Sequence, residues 1–70
     1  MNKDDTQLRR YRMTMNLSIS KLSQQAGVNV TTLSLAERRK LAPGAVFRRT
    51  LADFFGVPED ILFSDAGFAR

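Results

Sequence analysis

LSISKLSQQAGVNVTTLSLAER, residues 17–38, contains two short apolar-periodic runs, Leu22/Ala26 and Leu33/Ala36, joined across Gly27 and Val28. Residues three and four apart share one face of a helix, so each run predicts a short helix with a single buried stripe. Gly27 can close the first helix, because glycine enters the left-handed conformation without the usual Cβ clash. Asn29 can open the second as an N-cap whose side chain takes an orphan amide of the next turn. Val28 is left between them to plug the angle. The stretch therefore predicts two helices that meet at a tight corner.

The pattern continues on both sides. Upstream, Leu8, Tyr11 or Arg12, and Met15 recur at helical spacing and predict a first helix from about Thr6 to Met15. Asp4, Asp5 or Thr6 would cap it, and Met1 to Asp5 reads as a flexible leader. Arg9 and Arg10 point to water and read as a solvated charged face. Asn16-Leu17 makes the turn into the second helix, whose N-cap is Ser18 and whose inner face carries Leu22, Ser23 and Ala26. The third helix runs from about Val30 to Arg38. With Leu33 and Ala36 inward, its outward face carries Asn29, Val30, Thr31, Ser34, Leu35 and Arg38.

Downstream, Pro43 suits the first position of a fourth helix reaching about Phe55, with Phe47, Leu51 and Phe54 or Phe55 inside. Arg48 and Arg49 are expected to be exposed or to reach a flanking polyanion. Gly56 ends this helix, and Val57-Pro58-Glu59-Asp60 starts a fifth with Pro58 first and acids in the first turn. Ile61, Leu62 and Phe63 cannot all face inward from one short helix, so at least one is expected at the surface. The five phenylalanines crowd this half of the chain and read as core rather than as a stacking platform for single-stranded nucleic acid. The fold class is all-α, a compact five-helix bundle over residues 6–64, with residues 65–70 as a C-terminal tail.

Composition narrows the function classes. Seventy residues make one small domain, which can bury only about 60% of its unfolded surface, so self-association would help it. Without cysteine or histidine the chain has no disulfide, thiolate or imidazole chemistry, and no metal site, cofactor or small-molecule ligand is expected. An enzyme would have to run on Asp, Glu, Lys, Ser and Tyr alone, and no convergent carboxylate pair is visible. No run approaches the roughly 18 apolar residues of a membrane span, and the polar N-terminus lacks a signal-peptide core, so a cytoplasmic location and no membrane partner are expected. The net charge is +4 with a pI near 10.4. Placement matters more than the total: between Thr6 and Leu51 lie all the basic residues except Lys3 and Arg70, with Glu37 the only acid. That bias favours a polyanionic partner.

Counted from Ile19, Leu22, Ser23, Ala26, Gly27, Val28, Leu33 and Ala36 fall at the fourth, fifth, eighth, ninth, tenth, fifteenth and eighteenth places. This spacing resembles the helix-turn-helix of the phage repressor and Cro family, the XRE-type proteins. The resemblance runs without a gap from Leu8 to Phe63, and Arg12, Glu37-Arg38, Pro43, Leu51-Ala52 and Gly56-Val57 fit it too. It implies a lambda-repressor-like DNA-binding domain whose third helix lies in the major groove while the second crosses the backbone. A Cro-like transcriptional regulator, most simply a repressor, is implied, acting as a homodimer on a palindromic operator in double-stranded DNA.

The resemblance also assigns sites. Asn29, Val30, Thr31, Ser34 and Leu35 would meet base edges; apart from the capping residue Asn29 they offer methyl groups and hydroxyls rather than bidentate amides or guanidinium, which suits thymine methyls, short or water-mediated bonds, and readout of DNA shape. Where relatives carry a phosphate-binding glutamine this chain has Ile19, and where they often carry an acid it has Lys21. Phosphate contacts then fall to Ser18, Lys21, Arg38, Arg39 and Lys40. If the four cations each neutralise one phosphate, a dimer makes about eight contacts and log K falls with log salt at a slope near about −7. Arg12 and Glu37 would form a strut fixing the angle between helices, costing about 3–5 kcal/mol to break from one side if buried. Val57, Leu62, Phe63 and Phe68 would form the dimer patch, unless the end of the chain frays. The rival reading is a protein-interaction module, antirepressor-like or antitoxin-like, that uses the apolar Val30 and Leu35 against a protein partner.

Overall fold

The computed structural model describes residues 5–70 and contains α1 (Gln7–Thr14), α2 (Ile19–Ala26), α3 (Val30–Glu37), α4 (Ala45–Phe55) and α5 (Glu59–Leu62). The described residues are all-helical apart from one isolated antiparallel bridge, Phe63 to Ala69. No helix among them is long and apolar enough to cross a membrane. Residues 1–4 of the expected leader, and with them Asp4 as a cap, lie outside the described residues.

Side-chain caps set where the first three helices begin. Thr6 Oγ1 accepts from the Arg9 amide at 3.1 Å, Ser18 Oγ from the Lys21 amide at 3.1 Å, and Asn29 Oδ1 from the Thr32 amide at 3.0 Å. Each oxygen satisfies one amide that has no partner within its helix. α1 to α4 all end on a residue in the left-handed region: Asn16, Gly27, Arg39 and Gly56, with φ between +57° and +71°. The next amide then reaches back to close the helix, from Leu17 to Arg12, Val28 to Ser23, Lys40 to Leu35 and Val57 to Ala52. Glycine meets this demand at no steric cost. Arg39 meets it at roughly 1–2 kcal/mol.

Several expected boundaries move. Met15 continues the apolar spacing of α1 but is 48% exposed, because the chain reverses at Asn16 before the helix can bury that turn. α3 stops at Glu37, with Arg38 as its C-cap. Pro43 is not the first residue of α4; Gly44 is the N-cap, and Pro43 is buried with its carbonyl accepting from Arg48 Nη1 at 2.6 Å. Pro58 likewise precedes α5 as its N-cap.

The core consists of Leu8, Leu22, Leu33, Ala36, Leu51, Ala52, Leu62, Phe63 and Ala69, one or more from every helix and from the C-terminal segment. Tyr11 and Phe54 flank Phe55 with ring centroids 5.6 and 5.2 Å away, inside the range of favourable aromatic contacts. Ile61 is the exposed member of its apolar trio, at 42%. Leu62 and Phe63 are 0% and 2% exposed, so neither can belong to a surface dimer patch. The reason is the C-terminal segment. Residues 64–70 fold back, with the Ser64 amide bonded to Phe68 O at 2.8 Å, the Arg70 amide to Leu62 O at 2.9 Å and the Gln7 amide to Arg70 O. This fold-back buries Ala69 and closes over Phe63.

Candidate nucleic-acid interface

α2 and α3 pack against each other across Gly27, and Val28 lies half-buried against the core at the corner. Leu33 and Ala36 are fully buried on the inner side of α3, while Val30 is 43% exposed on the other. A helix with apolar residues on both sides buries one set in its own core and presents the other to solvent. On the outer side, Val30, Thr31, Ser34, Leu35 and Arg38 line an open groove of about 330 Å³ together with Ile19 from the start of α2. A smaller depression of about 160 Å³ adjoins it, sharing Ile19, Ser34 and Arg38 and adding Arg9, Arg12 and Glu37.

The expected base-reading residues thus share one groove, with one exception. Asn29 is exposed but lies outside the groove lining, and its Oδ1 accepts from the Thr32 amide as the cap of α3. Ser34 is half-buried, and Arg38 leans back over it with Nη2 3.4 Å from Ser34 Oγ. Thr31 is exposed.

The expected phosphate-binding residues Ser18, Lys21, Arg38, Arg39 and Lys40 are all exposed. Ser18 Oγ accepts from the Lys21 amide, which leaves its O–H able to donate outward. Arg39 also makes a long-range tie: its Nε donates to Ala69 O at 2.9 Å across 30 residues of chain, which links the loop after α3 to the C-terminal segment. Arg39 is nonetheless exposed, and that bond uses one of the five N–H groups of its guanidinium. Arg48 is turned toward Pro43 O and packs beside Gly67, so it lies under the C-terminal turn rather than on a polyanion-facing surface.

Charge in this region is one-signed because its single acid is neutralised. Arg12 grips Glu37 with Nε to Oε2 at 2.7 Å and Nη2 to Oε1 at 3.0 Å, and its Nη1 donates to Leu17 O at 2.7 Å. The two side chains are 13% and 5% exposed. At the far end of α1, Arg10 forks onto Asp5 at 3.1 and 2.8 Å, and this hydrogen bonding holds the Asp5 carboxyl below its ordinary range. Among the described residues no group of His, Cys, Asp or Glu is arranged to hold a metal.

Two residues of this surface escape the sequence reading. Ile19 counts there only as a lost phosphate contact, yet its side chain forms one wall of the groove in front of α3. Arg9 reads as a solvated charge, yet it lines the adjoining depression beside Arg38. Arg9 lies one helical turn ahead of Arg12 and so shares its face, a signal available from spacing alone. A larger depression, about 430 Å³, is lined by Ala45, Val46, Arg49, Thr50, Asp53 and Glu59 of α4 and α5. It mixes both signs of charge and carries none of the expected site residues.

No family model, no curated protein and no solved structure matches this chain.

Proposed function

We propose that this chain is a sequence-specific, double-stranded-DNA-binding regulator with the helix arrangement of the phage repressor and Cro family, and that α3 lies in the major groove. The observation that carries the reading is the groove in front of α3: an uncharged floor of Val30, Thr31, Ser34 and Leu35 with exposed cations at its margins. A helix with its side chains is about 10–12 Å across and the major groove about 12 Å wide, so an eight-residue α3 fits along it. Uncharged side chains then face the bases. Lys21, Arg38, Lys40 and the Ser18 hydroxyl face the phosphates on either side, which set register without reading sequence. The Arg12–Glu37 fork supports the reading twice, since it fixes α1 to α3 and removes the one negative charge near the groove.

One helix-turn-helix domain covers a single half-site, so the proposed unit is a homodimer on a palindromic operator with half-sites about one helical turn apart. Occupying such a site blocks polymerase and gives repression as the simplest outcome. Binding-site selection on the purified protein tests the reading. Enrichment of a palindrome supports it; recovery of no preferred sequence, with weak binding to every duplex, shifts the role to a protein-interaction module that uses the same apolar groove.

A further inference from the structure

We infer that Ile19 is a specificity-determining residue: with Val30, Thr31 and Leu35 it forms a groove that takes the C5-methyl group of a pyrimidine, so the protein accepts thymine and 5-methylcytosine there and disfavours uracil and cytosine. The inference rests on the DNA-binding reading and deepens it.

The argument begins with what the groove lacks. A surface that distinguishes bases by hydrogen bonding needs groups with fixed paired geometry, such as an amide or a guanidinium, and here only Arg38 at the margin has one. The floor and walls are instead branched hydrocarbon: Ile19 from α2, and Val30, the Thr31 methyl and Leu35 from α3. In the major groove only a 5-methylpyrimidine presents apolar surface, through its methyl group. The groove spans two helices. Ile19 supplies the wall that α3 alone does not have, because Ser18 caps α2 and the next residue is turned toward the outer side of α3.

Charge identifies the occupant as nucleic acid rather than an apolar peptide. Arg9 and Arg38 line the continuous depression, the nearby Glu37 is neutralised by Arg12, and Lys21 and Lys40 are exposed on the elements at either end. The neighbouring hydroxyls explain why thymine and 5-methylcytosine are treated alike. Beside its methyl, thymine offers an O4 acceptor and 5-methylcytosine an N4 donor, and a rotatable hydroxyl such as that of Thr31 serves either.

The test compares four duplexes of about 20 base pairs, long enough for two half-sites. They are an alternating A·T duplex, the same duplex with deoxyuridine for thymidine, an alternating G·C duplex, and the same with 5-methyldeoxycytidine. For the unaltered protein, the methylated member of each pair binds about fourfold more tightly for every methyl group seated. Ile19→Ala removes most of that advantage in both pairs while leaving the salt dependence unchanged. Because Ile19 also packs against the core, Val30→Thr, which removes apolar character at a 43%-exposed position, serves as the second variant and also reduces the advantage. Equal affinities for the two members of each pair overturn the inference alone. A methyl advantage that survives in folded Ile19→Ala overturns the role of Ile19. Failure to bind any of the four overturns the DNA-binding reading and this inference with it.

Discussion

Arg12 and Glu37, 25 residues apart in the chain, meet through two hydrogen bonds of 2.7 and 3.0 Å, one to each carboxylate oxygen, that lock α1 to the end of α3. The fork is shielded, and a third bond from Arg12 to Leu17 O pins the turn between α1 and α2 as well. One guanidinium thus orients both helices of the corner.

Breaking the pair from one side leaves a shielded charge without a partner. Arg12→Ala should therefore cost about 3–5 kcal/mol in a urea unfolding curve, a large part of what a domain this small possesses. Arg12→Lys should recover little, because an ammonium cannot make the fork. Replacing both residues by methionine should restore much of the stability, since the desolvation cost disappears with the charges. A single-mutant loss below about 1 kcal/mol would show that the pair behaves as an exposed one.

Arg39 carries two opposing terms. Its left-handed backbone costs roughly 1–2 kcal/mol, and its bond to Ala69 O contributes about 1 kcal/mol. Arg39→Ala keeps the cost and loses the bond, so its melting temperature should fall by about 4–8 °C per kcal/mol lost. Arg39→Gly loses both and should melt close to the unaltered protein. Calorimetry on the two variants gives the comparison, and Lys40→Ala, at an exposed neighbour, should leave the melting temperature unchanged.

If the tie to Ala69 O keeps Arg39 off the DNA, Lys21, Arg38 and Lys40 are the proposed phosphate contacts on each protomer. A dimer then makes about six, and the slope of log K against log salt should be near about −5 rather than the −7 of eight contacts. Lys21→Ala or Lys40→Ala should weaken binding to all sequences alike and make the slope shallower, whereas Thr31→Ala should change the preference among sequences and leave the slope alone. Titrations of specific and random duplexes at several salt concentrations separate the two effects.

The pH dependence should be mild and confined to acid. Hydrogen bonding from Arg10 depresses the Asp5 carboxyl in the folded protein, so its contribution is present above the unfolded value and fades as pH falls below about 4 through the folded one. The pair lies at the surface and is screened by salt. Asp5→Asn should slightly flatten the acid limb of a stability-against-pH curve at low ionic strength, with no change near neutrality.

Local signals were legible, whereas of the non-local ones only the Arg12–Glu37 pair was, and that through the family resemblance. The caps Thr6, Ser18 and Asn29 and the turn at Gly27 rest on interactions within a few residues, which side-chain chemistry determines directly. Met15 misled because its spacing fits a helix that Asn16 ends first. Pro43 misled because its fixed φ suits a helix start, but its carbonyl is held by Arg48 and the chain needs one further residue before α4. Leu62, Phe63 and Arg39 depend on the return of residues 64–70, a pairing with no periodicity of its own. Ile19 was legible as a residue type but not as a place, because only the packing of α2 on α3 puts it in front of the groove.

The central claim, that the outer side of α3 meets DNA, is tested most directly by mapping backbone amide shifts as a selected duplex is added to isotope-labelled protein. The largest changes should fall on Ile19, Val30, Thr31, Ser34, Leu35 and Arg38, with Lys21 and Lys40 next. Changes concentrated instead around Val46 and Arg49 on α4, with α3 unmoved, would contradict the account.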